Sequence, residues 1–365
     1  MPKSVYIHIP FCKSKCHYCS FVSFPKLELK EQYLAKLEEE IKANYEGEEL
    51  NSIYFGGGTP SLLSVSEFKR LIKFFNVTKN TEITIELNPE GVNEGYLAGL
   101  KSCGVNRLSL GCQTFNDKIL EQINRRHNSF QVVSAVKIIQ NAGFDNMSLD
   151  FIYGLPNQTE QMFLEDLSCA VNLGIQHISL YGLSIENGCY FYSNVPKNLP
   201  DDDMQADMYL SAVEFLTSKG FEHYEISNFC LKGFYSMHNL NYWNNEEYYG
   251  FGAAAHGYKN GIRYCNTNSL EHYIEKPLLH EKEHIETEQE KLEEEIFLGF
   301  RRMKEGVNLQ SINRKFSIDF ENKYKVILDK YCNLNLLKKT SKGYALTTKG
   351  ALLSNTVLME FISVL

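Results

Sequence analysis

Apolar and polar positions alternate in short runs along the first two thirds of the chain, each run following a stretch with helical spacing. Four segments share this pattern: "LKSCGVNRLSLG", "IQNAGFDNMSLDFIYG", "AVNLGIQHISLYG" and "LTSKGFEHYEIS". Each closes an amphipathic segment, passes a glycine and an apolar residue, and enters a strand of period two. The glycines are Gly104, Gly143, Gly174 and Gly220, spaced by 39, 31 and 46 residues. Such distances suit helix-plus-strand units rather than a short solenoid repeat, and a glycine just past a helix end is the usual left-handed residue there. "SVYIHI", "SIYFGG" and "EITIEL" predict earlier strands. One helix is predicted from Ser64, which pairs with Glu67 as a capping box, and another from Asn128/Ser129. Repeated β–α alternation implies a parallel sheet, either a barrel or an open doubly wound sheet. About six units fit before residue 230, too few for a complete eight-fold barrel.

Polar residues fall at or just past the predicted strand ends: Glu86, Gln113, Asp150 and Tyr181. That is where parallel α/β folds collect their chemistry. A carboxylate such as Asp150 inside an apolar run is costly to bury unless paired or bound to a ligand. Capping of the next helix is an equal reading for any one of them, and the coincidence across several strands favours a site.

The repeat breaks at 236–275, a stretch rich in Asn, Tyr and Gly that holds the only tryptophan, Trp243. Beyond about 287, the order helix–helix–hairpin ("LLKKTSKGYALT") resembles a winged helix. Charge is uneven: 12 Lys+Arg face 5 Asp+Glu from Arg301 onward, whereas 281–295 carries eight glutamates and two lysines. The acidic stretch reads as a solvated helix face. No Arg-rich recognition helix accompanies the basic segment, so a packing or docking module is expected and nucleic acid is not. An anionic lipid surface is a further expected contact for that charge. Composition, with 43% hydrophobic and 22% charged residues, is that of an ordinary globular protein. The N-terminus lacks a signal-peptide pattern and no run of 18 apolar residues occurs, so a cytoplasmic location is expected.

In that compartment ten cysteines are not expected to pair as disulfides. Three of them cluster in "CKSKCHYC": Cys12, Cys16 and Cys19. The other seven show no ligand spacing and read as small buried hydrophobes. Three thiolates would hold three irons of a four-iron cluster and leave the fourth open. Zinc is the competing reading, with His8 or His17 as its fourth ligand. Spacing alone does not choose between them.

Cys-x3-Cys-x2-Cys with an aromatic before the last cysteine resembles the radical S-adenosylmethionine (SAM) signature. "FGGGTPS" follows it as a Gly-rich turn that meets neither the Rossmann nor the P-loop spacing. "YIHIPFC", "YFGGGTPS", "ELNPE", "GCQTFND", "RRHN", "DFIYGLPNQT", "LYGLSIENG" and "HNLNYW" then appear in order, over essentially all 365 residues. Together they resemble the oxygen-independent coproporphyrinogen III oxidase branch, and within it the heme chaperone family HemW. The resemblance implies an α/β fold: a partial (β/α)6 barrel over 1–235, a connecting segment over 236–286, and a small helical, winged-helix-like domain over 287–365. It implies a [4Fe-4S] cluster on Cys12, Cys16 and Cys19. It implies SAM bound by Tyr6, Gly57, Gly58, Thr59, Glu86, Gln113, Arg125, Asp150 and Gly182, with Arg126 the alternative to Arg125. It implies heme at His238, Tyr242 and Trp243, transfer of heme to respiratory hemoproteins, and a homodimer. Two departures separate the chain from the decarboxylating enzymes of the branch. The position two past Cys19 is Phe21 instead of a fourth cysteine, and only eleven residues precede Cys12. A chaperone is therefore expected, with radical decarboxylation of coproporphyrinogen III as the alternative.

Overall fold

The computed structural model describes residues 1–362; the last three residues of the expected C-terminal domain lie outside the described residues. Nine strands form the main sheet: β1 (Ser4–Ile9), β2 (Ser52–Gly57), β3 (Glu82–Leu87), β4 (Arg107–Gln113), β5 (Met147–Tyr153), β6 (His177–Gly182), β7 (Glu222–Glu225), β8 (Asn228–Cys230) and β9 (Tyr249–Phe251). Their spatial order is β7-β8-β6-β5-β4-β3-β2-β1-β9. The six predicted βα units are present, and β1 to β6 are all parallel. The four template glycines have φ between 73° and 92°. The predicted capping box of Ser64 with Glu67 forms, and the helix expected from Asn128/Ser129 starts at Ser129 behind a second box, Asn128 with Gln131.

Two expectations need correction. The strand after Gly220 does not continue the parallel series: β7 pairs with β8, and β8 runs antiparallel to β6. The segment 236–286 is more than a connector, because β9 returns to the sheet and pairs in parallel with β1. At three residues each, β8 and β9 are too short to show alternation.

The alternation sorts the two faces of the sheet. Val5, Ile7, Ile53, Phe55, Ile83, Ile85, Leu108, Leu110, Leu149 and Ile178 are buried in one core with helix residues such as Leu34, Leu37, Phe68, Leu71, Leu100 and Val136. The intervening residues are polar or small and meet one another across the other face. Ser52 donates to Ser4, Tyr54 to Glu86 and Ser109 to Asp150, and Ser148 contacts His177 and Ser179. Parallel strands buried on both sides usually read as continuous apolar runs. Here the barrel interior is a polar lumen.

Residues 256–285 form a separate three-stranded sheet of β10 (His256–Lys259), β11 (Ile262–Asn266) and β12 (His280–Ile285). The C-terminal module runs helix Glu288–Arg301, β13 (Val307–Asn308), helix Leu309–Phe316, helix Lys325–Asn333, then the hairpin β14 (Leu337–Lys339) and β15 (Gly343–Leu346). Its sheet order, β13-β15-β14, completes the winged-helix arrangement. No helix among the described residues is long and apolar enough to cross a membrane.

Candidate functional site

All six parallel strands point their carboxyl ends at one cavity of about 510 Å³. Cys12, Cys16 and Cys19 line it, in the loop that follows β1. This loop is irregular and is held by its neighbours. Cys12 N–H donates to Phe24 O at 3.1 Å and His17 N–H to Ile123 O at 3.1 Å. Phe191 N–H donates to His17 O at 3.0 Å, and the rings of His17 and Tyr190 stack at 4.3 Å.

The glycine turn at the end of β2 packs directly beneath the start of the loop. Gly58 N–H donates to Ile9 O and Thr59 N–H to Phe11 O. A Cβ on Gly58 would lie 2.6 Å from Phe11 O, and one on Gly57 2.6 Å from the His8 ring. Gly57 also has φ +114°, so a side chain there is strained as well as crowded. The Thr59 hydroxyl lies 3.4 Å from Cys12 Sγ and accepts from Asn88 Nδ2 at 3.2 Å.

Arg125, not Arg126, reaches the site. Its guanidinium donates to Asn88 Oδ1 and Gly111 O, each at 2.8 Å, and faces Cys16 Sγ at 3.6 Å. Arg126 is exposed. Gln113 adopts φ +66° beside a register shift between β4 and β5, which turns its amide into the cavity. Asp150 accepts from Ser109 and Ser148 at 2.7 and 3.0 Å. Glu86 accepts from Tyr54 Oη at 2.9 Å and from Gly57 N–H at 3.2 Å. Burial pushes the Glu86 carboxyl up to about 7, with the nearby Asp150 charge adding to the shift and the Tyr54 and Gly57 hydrogen bonds opposing it. Gly182 lines the far wall. Tyr6 stands one layer below, stacked on Tyr54 at 6.2 Å.

Two buried polar atoms of this wall have no protein partner, Gln113 Oε1 and Arg125 Nε. Unsatisfied buried groups are rare in folded proteins. With the side-chain-free approach at Gly57 and Gly58, they fit a polar ligand carrying both donors and acceptors. The three thiols fit a cluster better than a single ion. No three Cys, His, Asp or Glu among the described residues come together closely enough to hold one metal ion, whereas the separate irons of a cluster take one thiolate each. Both candidate zinc histidines are engaged elsewhere: His8 contacts Val22 O and Tyr6 Oη, and His17 Nδ1 contacts Gln122 O.

His238, Tyr242 and Trp243 are brought together with one another but not with the cysteines. They sit on helix Met237–Trp243, which lies against the first residues of β1, β2 and β3, at the opposite end of the barrel. His238 is 1% exposed and both its ring nitrogens are engaged, with Ser52 Oγ at 2.9 Å and Tyr242 Oη at 2.8 Å. None of the three borders the cavity; His238 is buried, and Tyr242 and Trp243 are half-buried.

Tyr54, Asn88 and Ser109 belong to the wall and escaped the sequence reading. Asn88 stands in "ELNPE", and Tyr54 and Ser109 occupy alternate strand positions, so a search for polar residues on the inward register finds all three.

Residues 6–170 match the Radical SAM superfamily and residues 287–353 the HemN C-terminal domain. The heme chaperone HemW of Lactococcus lactis is 38% identical over 371 residues, covering 99% of this chain and 97% of that protein. HemW of Bacillus subtilis is also 38% identical, over 99% of both chains. HemW of Haemophilus influenzae is 34% identical over 99% of this chain and 98% of its own length. Among solved structures, coproporphyrinogen III oxidase (HemN) from Escherichia coli, a radical SAM enzyme, has a TM-score of 0.86 over 100% of this chain and 91% of its own. At 23% identity that likeness is one of fold.

Proposed function

The chain belongs to the HemW family of heme chaperones within the radical SAM superfamily, and on that premise we propose that it binds heme and delivers it to hemoproteins. Cys12, Cys16 and Cys19 hold a [4Fe-4S] cluster at the cavity. SAM occupies the space between the cluster and the lumen wall. The observation that carries this reading is an unsealed trio of thiols opening onto a polar cavity with two unpartnered buried groups.

When bound, the cluster and SAM supply one-electron chemistry. The chain's own residues bind and orient. Arg125 and the Gly57–Thr59 backbone meet the amino-acid end of SAM, while Asp150 and Gln113 offer acceptors to hydroxyls. Glu86 stands where a cation would be balanced. Phe21, at the position where the decarboxylating enzymes carry a further cysteine, is 67% exposed. Respiratory hemoproteins are the proposed recipients. A homodimer, a cytoplasmic location and peripheral contact with an anionic membrane surface complete the proposal.

The test is an anaerobic preparation offered heme, SAM and coproporphyrinogen III separately. Heme should raise a Soret band and pass to an apo-hemoprotein, and coproporphyrinogen should remain unchanged. Formation of protoporphyrinogen with 5′-deoxyadenosine would instead establish the decarboxylase. Replacing any one of the three cysteines by alanine should remove most of the iron.

A further inference from the structure

Helix Met237–Trp243 closes the barrel at the amino-terminal ends of the strands. Glu82, the first residue of β3, accepts from the backbone N–H groups of Met237 and His238, each at 3.1 Å. It thereby places a carboxylate at the helix start, where it is favoured. A directed chain of hydrogen bonds fastens the rest. Ser4 Oγ donates to Asn241 Oδ1 at 2.9 Å, and Ser52 Oγ donates to Ser4 Oγ at 2.9 Å. With its own proton committed, Ser52 can only accept from His238 Nδ1–H. Nε2 therefore carries the lone pair, and it accepts from Tyr242 Oη on the same helix. The lone pair an axial ligand would need is already used, inside a side chain that water does not reach.

The other face of the imidazole points toward the cavity. Its ring stacks on Tyr54 at 5.1 Å and 26°, with Tyr6 alongside at 6.5 Å. Tyr54 Oη donates to Glu86, whose second oxygen accepts from Gly57 N–H. There is no slack in this column. A Cβ on Gly56 would come within 2.9 to 3.1 Å of Tyr54, Tyr6 and Glu86 together. Packed interiors of this density transmit displacement instead of absorbing it.

We propose that helix Met237–Trp243 is a stopper for the closed end of the barrel, and that His238 is a positioning residue that sets Tyr54 and, through it, the Glu86 wall of the SAM cavity. His238 is not an axial ligand of heme iron. Loss of His238 acts on SAM first, and on heme only through the integrity of the barrel. The inference rests on SAM occupying the cavity between the cysteines and Glu86.

The experiment uses full-length, cluster-reconstituted protein as wild type, His238→Ala, His238→Gln, Ser52→Ala and Tyr54→Phe. Labelled SAM is bound by equilibrium dialysis, heme is titrated, and the Soret maximum of each loaded variant is recorded. SAM affinity should fall roughly tenfold in His238→Ala and in Tyr54→Phe, the worth of one charge-assisted hydrogen bond. It should fall less in Ser52→Ala and recover in part in His238→Gln, which can still bond both hydroxyls. The Soret maximum should stay in place throughout. A maximum that moves in His238→Ala and not in Tyr54→Phe or Ser52→Ala would overturn the proposal. So would unchanged SAM affinity in Tyr54→Phe, a variant that loses one oxygen and keeps the stack. Wild type that binds no SAM would show the cavity reading itself to be wrong, and that outcome is visible before any variant is compared.

Discussion

Glu86 is the residue on which cavity chemistry and fold chemistry meet. Its carboxyl is shifted to about 7, so a large share of the free protein holds it protonated at neutral pH. A cation arriving beside it favours the ionised form, and the complex then holds fewer protons than the free protein. Binding must therefore tighten as pH rises through 7. SAM affinity should increase roughly fivefold between pH 6 and pH 8 for one pKa unit of coupling. Calorimetry in buffers of different ionisation enthalpy should register proton release near pH 7, and Glu86→Gln should flatten both signals. An unchanged pH profile in that variant would locate the coupling elsewhere. Glu86, Gln113 and Asp150 were legible in the sequence because each is a polar residue beside a strand end, whereas Arg125, in a loop between two helices, came only with the family resemblance. His238 was not. Burial pushes its imidazole down to about 3, with the Arg107 charge adding to the shift, and "HNLNYW" is too short to reveal which side faces inward. The polar floor that receives it comes from three strands distant in sequence, through Ser4, Ser52 and Glu82.

Elements were more legible than residues, because each predicted strand carries its own alternation and each helix its own cap. What escaped, β8 and β9, lacks local signal and is placed by pairing alone. The glycine turn after β2 shows how an element is specified from outside itself. Gly58→Ala drives a Cβ into the Phe11 backbone, which flexible side chains cannot relieve. It should cost about 1–3 kcal/mol and lower iron content by displacing the loop ahead of Cys12. Gly91→Ala, with open space around it and an ordinary φ, is the matched control and should stay within about 0.5 kcal/mol of wild type. Urea denaturation and iron analysis on the pair would show whether the turn, and not alanine as such, matters. At the next helix, Ser64→Ala removes one half of a capping box and should cost about 1 kcal/mol with no change in iron.

At the scale of the molecule, the uneven charge resolves into local pairing. Lys315 of the basic module pairs with Glu295 of the acidic stretch, Lys342 pairs with Glu305 within the module, and Lys304 pairs with Glu222 of the barrel. Exposed pairs of this kind add little stability each, so the seam between barrel and module must be held by something better buried. Arg301 meets that description. Its guanidinium lies over the Trp243 ring at 4.2 Å and 3.9 Å from the fully buried Glu225, whose carboxyl burial pushes up and Arg301 pulls back. One arginine thus joins the module's first helix, the barrel's edge strand and the stopper helix. Trp243 is the only tryptophan, so its emission reports this junction alone. Arg301→Ala should move the emission to longer wavelength and cost about 1–3 kcal/mol, because Glu225 loses its counter-charge in a buried setting. Arg301→Lys keeps the charge but not the planar stack, and should fall between. If both variants leave the emission maximum and the unfolding midpoint where wild type has them, the module is held by its apolar packing, and the stopper helix is independent of what docks behind it.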